Sequence, residues 1–223
     1  MYILAIDAST ELCSAALWRD GEICQRTAAG DKLHSEQLLL MVDVVLAEGG
    51  VTLDRLDGIA YGQGPGAFTG LRVACAVVQG LAFPQNIPVA GISTLQAMAL
   101  ACAAPRVVCC LDARMGEIYH AAYVMEEGSY IEHSAPCVCA PDDAPPLADG
   151  GWTGCGSGFE VYGDKLKQCY GTALQGITGG IHPVAADIAR LAAPLFAAGQ
   201  GVAAERAAPV YIRDKVALKT AER

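Results

Sequence analysis

Two aspartates stand where a metal-bound nucleotide could be gripped. Asp7 closes the apolar run Tyr2 to Ile6, and Asp112 follows Leu111 in a second apolar run. A carboxylate at a strand end, beside a turn whose backbone N–H groups meet phosphate, is one way to hold such a ligand. The turns that follow suit phosphate poorly. Asp112-Ala113-Arg114-Met115 puts side chains where glycines would allow close backbone approach, and Asp7-Ala8-Ser9-Thr10 offers only two hydroxyls. Asp7 also suits an Asx turn after a strand, and Arg114 an exposed or ion-paired position. Asp7 and Asp112 are therefore weak, vestigial candidates for nucleotide, and no cofactor is expected.

The run Gly62-Gln63-Gly64-Pro65-Gly66-Ala67-Phe68-Thr69-Gly70-Leu71-Arg72 has the composition of a phosphate loop without its lysine. Gly62, Gly64, Gly66 and Gly70 permit close approach or positive φ, and Pro65 fixes its own φ, so backbone geometry is being specified here. The ten cysteines include Cys109-Cys110 and Cys137-Val138-Cys139, neither with C-x-x-C spacing, and the four histidines are scattered. Buried reduced thiols are the expectation, and no metal site.

The elements that must carry these residues read clearly. Strands are predicted over Tyr2 to Ile6, Cys13 to Trp18 and Glu22 to Thr27, the last two joined at Asp20-Gly21. A helix follows from Ser35 to Glu48, a strand from Gly58 to Gly62, a helix from Phe68 to Phe83, a strand near Val89 and a helix to Ala103. This β-β-β-α-β-α-β-α order builds a mixed sheet flanked by helices, the plan of a ribonuclease-H-like lobe. The second half restarts it: Leu111-Asp112-Ala113 echoes Ile6-Asp7-Ala8, Ala121-Ala122 echoes Ala15-Ala16, and Gly128 stands as Gly21 does. The expectation is an α/β chain of two such lobes, 1–104 and 105–223, the second reduced. Its last helix should run from about Val184 to Ala198, with Pro194 kinking or ending it.

A net charge of -9 argues against unaided RNA binding, since the clustered cations are confined to Arg213, Lys215, Lys219 and Arg223 at the tail. No apolar run reaches the roughly 18 residues that span a bilayer. Met1 to Asp7 carries no cationic leader, so a cytoplasmic location is expected.

Both helices of the first half carry more apolar surface than one buried face needs. Between Ser35 and Glu48, Leu38, Met41, Val42 and Val45 form one stripe, and Leu40, Val44 and Ala47 another. Between Phe68 and Phe83 only Thr69, Arg72 and Gln79 are polar, while small residues permit close helix approach. One face can cover the sheet; the other is expected to meet a second polypeptide. Leu38, Met41, Val42 and Val45 of the first helix, with Leu71, Cys75 and Val78 of the second, are the candidate interface residues.

The strings Ile3-Leu4-Ala5-Ile6-Asp7-Ala8-Ser9-Thr10, the glycine run, His34-Ser35-Glu36-Gln37-Leu38-Leu39 and Pro209-Val210-Tyr211-Ile212-Arg213 closely resemble the TsaB family of bacterial tRNA threonylcarbamoyladenosine biosynthesis subunits. The likeness is dense over about the first 125 residues, thin through the middle of the second half, and returns at the tail. It implies the actin, Hsp70 and sugar-kinase architecture and a non-catalytic subunit that dimerises with its catalytic paralogue TsaD. A homodimer through the same patch would compete, TsaE, an ATPase, would bind across the pair, and tRNA would be reached only indirectly. Catalytic relatives pair two histidines four residues apart on the corresponding helix. Here Leu38 fills the position that would partner His34, so peptidase activity is not expected. The alternative is a small-molecule kinase or ATPase of the same fold using Asp7 and Asp112 as metal ligands.

Overall fold

The computed structural model describes residues 1–29 and 34–213, without the side chains of His34 and Ser35; the tail cations Lys215, Lys219 and Arg223 lie outside the described residues. The first half forms β1 (Tyr2–Asp7), β2 (Leu12–Arg19), β3 (Glu22–Ala29), α1 (His34–Gly49), β4 (Gly58–Gly64), α2 (Phe68–Ala82), β5 (Val89–Ser93) and α3 (Thr94–Cys102). The second forms β6 (Arg106–Arg114), β7 (Glu117–Glu126), β8 (Ser129–Cys139), β9 (Trp152–Cys155), α4 (Ser157–Tyr170), β10 (Leu174–Thr178) and α5 (Ala185–Ala197).

Each half builds one five-stranded sheet, ordered β3-β2-β1-β4-β5 and β10-β9-β6-β7-β8. Written from the third strand of its half, each order is 3-2-1-4-5, so the faint sequence repeat is a repeat of topology. The first three strands of each half pair antiparallel, and the last two join parallel. These are two ribonuclease-H-like lobes. The second is reduced where residues 140–151 replace the helix corresponding to α1, retaining only a single turn at Pro141–Asp143.

Strand β1 is apolar throughout because both faces of its sheet are covered. Leu4 and Ile6 face the core beneath α1 and α2, whereas Ile3 and Ala5 face Ala185, Ile188, Ala189 and Ala192 of α5. Helix α5 thus belongs by packing to the first sheet, although it lies in the second half of the sequence. Its N-terminal amides are held by that sheet: Ala185 donates to Ser14 Oγ at 2.8 Å and Ala186 to Gln25 Oε1 at 2.7 Å. Helix α3 crosses the other way, setting Leu95, Met98 and Ala99 against Val107, Cys109 and Tyr123 of the second sheet. The outer face of that sheet is covered by Phe159, Leu166 and Tyr170 of α4.

Packing crosses the division expected at 104. Each half supplies its last helix to the other half's sheet, so a single cut cannot separate the lobes. Pro194 lies inside α5, which continues past it to Ala197 and ends within a turn of it. The ten cysteines are free thiols, with Cys109 and Cys155 sulfurs 3.6 Å apart on neighbouring strands.

Candidate functional site

Asp7 ends β1 with no exposed surface, and Oδ2 accepts from the Ser9 amide at 3.2 Å and the Ser9 hydroxyl at 3.0 Å. This is the Asx turn that the residue type allows. Oδ1 has no partner and points at Gly62 of β4. Burial raises the Asp7 carboxyl from 3.8 to about 7, only partly countered by the Ser9 hydrogen bonds.

The glycine loop lies directly on this turn. Ala67 N donates to Ser9 O at 2.7 Å, and a Cβ on Gly66 or Gly70 would strike the carbonyl oxygen of Ser9 or Ala8. The loop turns through a cis Gly64-Pro65 bond, with Gly64 at φ 120° and the Pro65 carbonyl accepting from Thr94 Oγ1 at 2.6 Å. The Ala67 amide and the Pro65 carbonyl of the loop are thus engaged by the protein's own chain.

Asp112 sits at the equivalent position on β6, where Oδ1 accepts from Arg114 N at 2.9 Å and from the Tyr162 hydroxyl at 3.3 Å. Its other oxygen lies 3.1 Å from the Arg114 guanidinium. The two aspartates thus close separate turns and share no hydrogen-bonding partner. Among the described residues no group of three or more His, Cys, Asp or Glu side chains is arranged to hold a metal ion.

One feature was not legible beforehand: residues after 206 form a strap across the glycine loop. Tyr61 exchanges hydrogen bonds with Ala208, Gln79 Nε2 donates to Ala207 O at 2.9 Å, and Val210 N donates to Gln63 O at 2.7 Å. Arg213 then reaches the second lobe and pairs with Glu117. The motif Pro209 to Arg213 signalled a resemblance but carried no spacing from which this reach follows.

The helix pair corrects the choice of interface residues. Leu38, Met41, Val42 and Val45 of α1, and Leu71, Cys75 and Val78 of α2, are all buried within the chain. Burial pushes the Cys75 thiol up to about 11. These side chains cover the first sheet and are not available to a partner. The second stripe is the open one: Leu40 is 65% exposed and Val44 41%, with Leu39 and Ala47 also exposed. On α2, Phe68, Thr69, Arg72, Ala76 and Gly80 are exposed, with Val73 and Val77 half-buried between them. Among the described residues no helix is long and apolar enough to cross a membrane, so this face is not part of such a span.

Comparison with known proteins agrees with the topology. The TsaD family, tRNA N6-adenosine threonylcarbamoyltransferase, matches residues 26–151. The tRNA threonylcarbamoyladenosine biosynthesis protein TsaB of Escherichia coli K12 is 37% identical, over 98% of this chain and 97% of its own. Its namesake from Haemophilus influenzae is 34% identical over 97% of this chain and 95% of its own. The structure of YeaZ from Pseudomonas aeruginosa superposes with a TM-score of 0.86 at 37% identity, covering 94% of this chain and 99% of that one. With identity at this level spanning nearly the whole of both chains, and the two lobes superposing on a solved structure, the chain belongs to the TsaB family of tRNA threonylcarbamoyladenosine biosynthesis proteins.

Proposed function

We propose that the chain takes part in tRNA threonylcarbamoyladenosine biosynthesis as a non-catalytic scaffold, dimerising with the catalytic subunit TsaD. The reaction would transfer a threonylcarbamoyl group to N6 of the adenosine 3′ of the anticodon. TsaD would carry the metal and the chemistry, TsaE would bind across the pair, and tRNA would be reached through the partner. The setting would be the cytoplasm.

The observation that carries this reading is the exposed apolar surface of the two helices, Leu39, Leu40 and Val44 on α1 and Ala76 and Gly80 on α2. Paired helices with small residues between larger ones suit a four-helix contact with the corresponding pair of a related chain. A homodimer through this face would compete. The buried Asp7, held by Ser9 with the glycine loop packed on its turn, supports a positioning role over turnover of a nucleotide.

Co-purification with TsaD tests the assignment. Leu40→Glu and Val44→Glu are expected to leave the melting curve unchanged and to abolish association, because a carboxylate would be buried unpaired only in the complex. Leu38→Glu should instead unfold the chain, since Leu38 is 0% exposed. If both exposed-face variants still bind TsaD, the surface is wrong. Calorimetry with magnesium ATP should give no heat with the isolated chain; micromolar binding would favour the kinase alternative.

A further inference from the structure

At the N-terminal end of α2 the chain displays large side chains that its own core does not use. The Phe68 and Tyr211 rings lie 5.5 Å apart, and the Arg72 guanidinium sits 3.6 Å from the Phe68 centroid while Nε donates to the Tyr211 hydroxyl at 2.8 Å. All three residues are exposed. Two residues further along the strap, Arg213 bonds Glu117 and the Arg114 carbonyl and touches the Met115 sulfur at 3.7 Å. It thereby ties the β6–β7 hairpin tip to the strap.

Met115 and Gly116 are the two central residues of that hairpin turn, which takes positive φ as Asp20-Gly21 and Glu127-Gly128 do in the other two hairpins. The turn holds the Arg114 side chain 85% exposed and Met115 62% exposed. Phe, Tyr, Met and Arg are also the residue types enriched where proteins meet.

Charge selects the occupant. Among the described residues Arg72 pairs with no carboxylate, whereas Arg114 pairs with Asp112 and Arg213 with Glu117. The patch is therefore locally positive on a chain of net charge -9. Among the described residues one guanidinium stands without a carboxylate beside apolar side chains, which suits one carboxylate of a protein partner. The patch also continues into the exposed face of α2 through Thr69, Val73 and Ala76.

We infer that Phe68, Arg72, Tyr211 and Met115 form a second part of the partner-docking surface, in which Arg72 receives a carboxylate of the partner protein and the other three seat its apolar side chain. The inference rests on the helix-face reading proposed above and extends it across both lobes. Titration of the full-length chain with TsaD, at low and high salt, tests it.

Arg72→Glu should weaken binding at least about ten-fold and reverse its salt dependence; Arg72→Lys should restore part of the loss, and Tyr211→Ala should weaken binding several-fold. Thermal melts confirm that each variant is folded. If Leu40→Glu abolishes association while Arg72→Glu leaves the affinity unchanged, the inference falls and the helix face stands. If neither variant changes affinity, both fall. If Arg72→Glu spares TsaD binding but abolishes binding of a tRNA transcript to the complex, the occupant is RNA and the inference is overturned. If Arg72→Glu disrupts only the homodimer, the occupant is a second copy and it is likewise overturned.

Discussion

Gly70 sits in the first turn of α2, and a Cβ there would strike the Ala8 carbonyl oxygen at the end of β1. Both groups are backbone on regular elements, so neither can yield by changing a rotamer. Gly70→Ala is expected to cost about 3 kcal/mol, read as a lower urea midpoint at unchanged slope. A glycine kept for phosphate would behave differently: its alanine variant would keep the midpoint and lose ligand. The same reasoning applies to Asp7, whose Oδ2 is consumed by Ser9 while Oδ1 stays buried without a partner. Its position at the strand end was legible in the sequence, as was the glycine loop beside it. That the loop would lie on the turn and seal it was not, because composition reports which backbone shapes are allowed and not what fills the space they leave.

Helix α5 makes the corresponding point for elements. It is anchored to the first sheet by the Ser14 and Gln25 side chains, which accept from its first two amides. Ser14→Ala should leave the Ala185 amide unsatisfied in a buried setting and cost about 1 kcal/mol, with faster hydrogen exchange confined to the first turn of α5. The element order was legible from apolar periodicity, from the Asp20-Gly21 turn and from the glycine run. The exchange of α3 and α5 between sheets was not, since periodicity locates a helix's apolar stripe and is silent on which sheet receives it. The same limit explains α1. Its two stripes are both apolar, and only the structure distinguishes Leu38, over the sheet, from Leu40 and Val44, open to solvent. Where a helix has one stripe the sequence assigns the buried face; where it has two, the assignment needs the sheet's position.

At the scale of the molecule, the lobes carry buried titratable groups with opposite effects. Asp7, in the first lobe, is raised from 3.8 to about 7 by burial; its stabilising contribution is full below 3.8 and lost as pH rises through about 7. His120, in the second lobe, is 0% exposed with both ring nitrogens unpartnered, and burial lowers it from 6.5 to about 4. Its contribution is full above 6.5 and lost as pH falls through about 4. Between about pH 4 and 6.5 the folded chain therefore binds about one proton more than the unfolded chain at Asp7 and one fewer at His120, and the two slopes cancel. At about 1.4 kcal/mol per pKa unit, the slope amounts to roughly 4 to 5 kcal/mol across the Asp7 window and roughly 3 to 4 kcal/mol across that of His120. Urea denaturation over this range should expose them one at a time. Asp7→Asn should make stability rise with pH up to about 6.5, His120→Phe should make it fall with pH up to about 7, and the double variant should restore a flat profile. Because α3 and α5 are exchanged between the sheets, both groups should report on one cooperative unfolding transition, with a single midpoint by fluorescence and by circular dichroism. Two separable midpoints, each sensitive to only one of these substitutions, would mean that the lobes unfold independently and that the exchanged helices do not couple them.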